Sequence, residues 1–88
     1  MAFTTLLNIQ DIAMTGSNIE VTFPAGFRVF VCYAEGGDIS IIDDSANEFE
    51  LASGTYMTFD DPNLAGQKIN VNGAAGHFQM LSKQGLGS

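Results

Sequence analysis

The chain is poor in the side chains from which binding and catalytic centres are most often assembled. In 88 residues it holds one cysteine, Cys32, and one histidine, His77. A lone cysteine rules out an internal disulfide, and one Cys with one His cannot supply the usual zinc frameworks. Tryptophan is absent, which removes the residue that sugar-stacking platforms use most. Basic residues are three (Arg28, Lys68 and Lys83) against ten acidic ones, a formal net charge of −7. No basic cluster interrupts that field, so the surface repels phosphate backbones and no direct nucleic-acid partner is expected. No apolar run approaches the roughly 20 residues that a membrane-spanning helix needs, so no membrane partner is expected either. The first residues lack the basic flank and unbroken apolar core of a signal peptide, and Asn-x-Ser/Thr acceptors do not occur. Synthesis in the cytosol is the expectation.

What the chain does have is apolar content without much charge: 45% hydrophobic against 15% charged residues. That balance argues for a folded domain rather than disorder. A domain this small buries only roughly 60–65% of the surface its unfolded form exposes. With no disulfide or metal framework to reinforce it, association between copies is the common remaining route to stability.

The stretch Phe27-Arg28-Val29-Phe30-Val31-Cys32-Tyr33-Ala34 organises the reading. Seven of its eight residues are apolar or aromatic, of types that suit a pleated surface. Alternation places Phe27, Val29, Val31 and Tyr33 on one side, and Arg28, Phe30, Cys32 and Ala34 on the other. Both sides are greasy, the signature of a strand covered on two faces. So small a chain has difficulty covering both by itself. Arg28 either carries its head to water at a rim or pairs with an acid of another subunit.

Glycines punctuate the rest. Gly16, Gly26, Gly36, Gly54 and Gly66 are each followed by apolar residues at +3 and +5, and after Gly76 the phase slips by one. Each unit reads as a turn followed by a short strand with one inward face. The strands are expected near 3–9, 18–23, 27–34, 38–43, 47–52, 55–60, 67–72 and 77–82. The fold class is all-β: a small antiparallel β-sandwich or barrel of seven to eight short strands. Residues 1–14 read as an N-terminal arm or edge strand, 15–82 as the sandwich, and 83–88 as a flexible tail. Glu35-Gly36-Gly37-Asp38 reads as a tight hairpin turn, because adjacent glycines supply positive φ without strain. Gly73-Ala74-Ala75-Gly76 reads as a flexible hairpin loop rather than a phosphate cradle, having no helix after it and no basic neighbours.

Candidate chemistry is sparse. Asp43-Asp44-Ser45-Ala46-Asn47-Glu48 offers oxygens to a cation but lacks EF-hand spacing, and Asp and Asn favour turns for backbone reasons of their own. Asp60-Asp61-Pro62-Asn63 reads as a plain turn. His77 has no partner at catalytic or metal-ligand spacing, and Cys32 reads as a small buried hydrophobe. No catalytic residue, cofactor or metal is assigned, and no enzyme is expected. Tyr33 or Tyr56, with Asn70 and Asn72, would line the groove of a glycan- or receptor-binding module. The residues assigned to an association surface are Phe3, Leu6, Leu7, Phe27, Arg28, Phe30, Cys32 and Tyr33.

In texture the segments Ala-Gly-Phe-Arg-Val-Phe-Val, Glu-Gly-Gly-Asp-Ile-Ser-Ile-Ile, Ser-Gly-Thr-Tyr-Met-Thr-Phe and Ala-Gly-Gln-Lys-Ile-Asn-Val-Asn-Gly resemble the short β-rich virion proteins of tailed bacteriophages. The likeness is to capsid decoration (cement) proteins and other head accessories. It implies a non-enzymatic structural role on the outer surface of the head. It also implies a homo-oligomer, often a trimer, that clamps the major capsid protein or another virion protein. The alternative it leaves open is a glycan- or receptor-binding β module of a phage fibre, tail or neck.

Overall fold

The computed structural model describes residues 7–84. Eight strands follow one another: β1 (Leu7–Ala13), β2 (Ile19–Thr22), β3 (Val29–Glu35), β4 (Ile39–Ile42), β5 (Glu48–Leu51), β6 (Tyr56–Asp60), β7 (Lys68–Asn72) and β8 (His77–Lys83). A 3-10 turn, Pro62–Leu64, is the helical element among the described residues. Its N-cap Asp61 accepts from the Asn63 amide at 2.9 Å. The strands form two antiparallel four-stranded sheets, ordered β1-β8-β3-β6 and β2-β7-β4-β5. They pack face to face as a small β-sandwich, as the alternating pattern leads one to expect.

The six turn glycines picked out by spacing, Gly16, Gly26, Gly36, Gly54, Gly66 and Gly76, all adopt positive φ, between 75° and 87°. Strand positions follow, because each turn is set by a residue without a Cβ. The core lies between the sheets. Phe30, Cys32 and Ala34 of β3 and Phe78 and Met80 of β8 meet Val21, Ile39, Ile41, Leu51 and Val71 from the other sheet. Phe23, just past β2, sets its ring edge against Phe30 at 4.9 Å and Phe59 at 5.8 Å, a favourable geometry for aromatic quadrupoles.

The connections differ from expectation. Only β4 and β5 are consecutive strands paired in one sheet; every other link crosses between sheets. Glu35-Gly36-Gly37-Asp38 is therefore not a hairpin turn but a crossover from β3 to β4, and Gly73-Ala74-Ala75-Gly76 is a crossover from β7 to β8. Only Gly36 of the first glycine pair needs positive φ. Gly37 is required for closeness instead: a Cβ there would stand 2.5 Å from the Ala75 carbonyl oxygen. A Cβ on Gly76 would collide with the Glu35 carbonyl oxygen. The two crossovers press backbone to backbone, which glycine alone permits.

The first strand also lies later than expected. β1 runs from Leu7 to Ala13, and residues 1–6 fall outside the described range. It is an edge strand paired along its whole length with β8, with Leu7 opposite Lys83 and Ala13 opposite His77. This part of 1–14 therefore belongs to the sandwich itself, and β8 carries the sandwich through to Lys83.

Candidate functional site

The two outer faces of the sandwich differ in chemistry. On β2-β7-β4-β5 the outward rows are Glu20–Asn70–Ile42–Glu48 and Asn72–Ser40–Glu50, with Thr22 beside Lys68. Lys68 pairs with Glu20 at 3.3 Å. Apart from Ile42, this is a solvated polar surface.

The outer face of β1-β8-β3-β6 has apolar rows instead. Ile9, Leu81 and Val31 stand side by side across three strands and end at Thr58. The row on one side reads Leu7–Lys83–Val29–Asp60, and the row on the other reads Asp11–Gln79–Tyr33–Tyr56. A depression of about 330 Å³ opens between Ile9, Leu81, Val31 and Tyr33. Asp11 at its margin accepts from Gln79 at 3.5 Å and lies 3.0 Å from His77 Nδ1.

β1 is inverted relative to the usual rule. Leu7 and Ile9 point outward, with Ile9 72% exposed, while Asn8 and Gln10 take the inward phase opposite Ser82 and Met80. Gln10 closes the sandwich edge by donating to the Thr22 carbonyl at 3.1 Å. A shift of one residue in the pairing would turn Leu7 and Ile9 inward. The register is fixed instead by Ile12, which packs on the core opposite Phe78.

The association residues assigned from sequence divide sharply. Leu7 and Tyr33 lie on the apolar outer face. Phe30 and Cys32 do not: both are fully buried in the chain's own core, because the second sheet covers that side of β3. They are not surface residues. Phe27 precedes β3 and packs partly buried against the core rather than sharing the face of Val29. Arg28 needs no second subunit, since its Nε donates to Asp60 of the same chain at 2.8 Å. That carboxylate holds its guanidinium above the ordinary value, chiefly through this hydrogen bond. Phe3 and Leu6 lie outside the described residues. Sequence reading missed Ile9 and Leu81, because their adjacency depends on pairing between the chain's two ends. For Val29 and Val31 the glycine spacing misleads: it turns the +3/+5 positions inward, whereas after Gly26 they face outward, so this unit, like that after Gly76, is out of phase with the rest.

The remaining candidates are structural. Asp43 accepts from the amides of Ser45 and Asn47, each at 2.9 Å, and from Asn47 Nδ2 at 3.2 Å. These three bonds close the β4–β5 hairpin, where Ala46 takes φ of 65°. The Asn47 amide, then its side chain, holds the Asp43 carboxyl below its usual range. Among the described residues no three His, Cys, Asp or Glu side chains converge as a metal site. Burial pushes the Cys32 thiol up to about 12, which keeps it protonated and unreactive at neutral pH. Tyr33 and Tyr56 are directly opposed on one sheet, whereas Asn70 and Asn72 sit on the outer face of the other. Neither tyrosine therefore shares a groove with Asn70 and Asn72.

A second apolar feature lies at the β5/β6 edge. There a cleft of about 330 Å³ runs between the sheets, walled by Phe23, Ile41, Phe49, Met57 and Phe59, with Asp43 and Glu48 at its rim. Neither family models nor characterised proteins nor solved structures give a match to this chain.

Proposed function

We propose that the chain is a non-enzymatic virion structural protein, a capsid decoration protein in type, that attaches through the outer face of β1-β8-β3-β6. The observation that carries this reading is the inversion of β1, which holds Leu7 and Ile9 out to water beside Leu81 and Val31. Covering an exposed side chain of this size contributes roughly 1.5–3 kcal/mol, and the uncovered patch is a liability that association removes. The opposite sheet, rich in Glu and Asn, suits the solvated side of a shell. Repeated attachment around a particle makes modest contacts hard to lose.

Sedimentation at micromolar concentration tests the reading. The expected result is a trimer or larger closed ring, dissociated to folded monomers by Ile9→Lys or Val31→Lys. A well-folded monomer would remove the physical reason for the proposal.

One observation favours a second reading. Tyr33 and Tyr56 are adjacent on the same face, and Tyr56 is 68% exposed, so the pair offers a stacking platform to a glycan. Binding on a glycan array that Tyr56→Ala abolishes, together with a monomeric chain, would put this reading first.

A further inference from the structure

The cleft at the β5/β6 edge is independent of the apolar sheet face. The geometry points to a docking site for an extended segment of another protein, one that carries a large apolar residue flanked by lysine or arginine. Three observations combine. The cleft walls are apolar, and Phe49 on its lip is 58% exposed although it belongs to the inward phase of its strand. Among the described residues the strands on either side, β5 and β6, each pair with only one neighbour, so an extended backbone has an open edge on which to add. Charge then selects the occupant. Asp43, Asp44, Glu48 and Glu50 cluster on β5 and its hairpin, and no basic residue occurs between Arg28 and Lys68.

The cationic flank must come from elsewhere. Arg28 is engaged by Asp60 and Lys68 by Glu20, Lys83 stands on the outer face of the opposite sheet beside Leu7 and Val29, and a second copy would bring a further net charge of −7. A basic partner segment satisfies both the apolar walls and the acidic rim. Side chains alternate along such a strand, so an apolar residue seated in the cleft places its immediate neighbours on the opposite side. Basic residues at those positions stand beside Glu48 and Glu50 on the outward face of β5.

Two capped heptapeptides test this by isothermal titration calorimetry against the full chain at low salt. Both have phenylalanine at the centre and threonine elsewhere; one carries lysine and the other glutamate at its third-from-end positions. The lysine peptide is expected to bind about tenfold more tightly or better than its twin, a preference that fades as salt screens it. Phe49→Ala is expected to weaken it about tenfold through lost apolar burial. Glu48→Lys should remove most of the preference while leaving the melting temperature in place. Equal affinity for both peptides, binding by neither, or affinities untouched by both substitutions would overturn the proposal. Ile9→Lys serves as the control that separates the two surfaces: it should alter sedimentation and leave peptide affinity unchanged.

Discussion

Phe49 lies directly across from Ile41 on the inward face of β4–β5, yet Phe49 is 58% exposed and Ile41 only 9%. Neighbouring positions on one face thus differ because the facing sheet stops short: β6 is its last strand, and among the described residues none beyond it covers Phe49.

That difference sets a stability contrast. Phe49→Ala should cost about 1 kcal/mol or less, since little burial is lost. Phe30→Ala, at the centre of the same sandwich, should cost about 3–5 kcal/mol. Urea denaturation of the two variants measures both, and comparable losses would mean that the cleft is closed in solution.

Two glycines with the same backbone sign should respond differently. Gly54 has φ of 80° with open space around it, whereas Gly76 has φ of 84° and the backbone of Glu35–Gly37 where a Cβ would go. Gly54→Ala should cost only the left-handed strain, about 1 kcal/mol. Gly76→Ala adds a clash between the two crossovers, for about 3 kcal/mol or more. Melting temperatures compared in one buffer discriminate the two effects.

Ser82 is fully buried on the inner face of β8, and its hydroxyl has no hydrogen-bond partner among the described residues. Burying an unpaired hydroxyl costs roughly 1–3 kcal/mol. Ser82→Ala should therefore leave stability unchanged or raise it by about 1 kcal/mol. A loss larger than that on chemical denaturation would show that the hydroxyl is bonded after all.

Acid should loosen the β4–β5 hairpin. The folded state holds the Asp43 carboxyl below its ordinary value of 3.8, so its contribution is fully present above that value. It is lost as pH falls from there through the lower folded value, because the unfolded chain takes up the proton first. In a stability titration from pH 7 downward, Asp43→Ala should be less stable than the parent at neutral pH, and the gap should narrow below about pH 4. A gap constant across the titration would show that the carboxylate's hydrogen bonds do not matter.

The local part of this fold was legible in the chain. Positive φ is a property of single residues and alternation a property of neighbours, so Gly16, Gly26, Gly54 and the strands after them stand where spacing places them. The self-closed turn at Asp43 was likewise readable, since it depends on nearby sequence. The pairing was not. Gly36-Gly37 has the composition of a hairpin turn, and only the packing of a crossover 40 residues away, at Gly76, makes it something else.

The candidate surface shows the same division. Sequence alone determined that β3 is greasy on both sides and that a chain of this size would struggle to cover both. Tertiary structure decided which side was covered: the second sheet took Phe30 and Cys32 and left Val29, Val31 and Tyr33 outside. It also decided that Ile9 and Leu81, 72 residues apart in the chain, extend that uncovered side into one apolar face. The physical reason is that side-chain direction in a strand has a period of two. Which of the two phases turns inward is set by the long-range partner against which the strand packs, and no local residue preference encodes that choice.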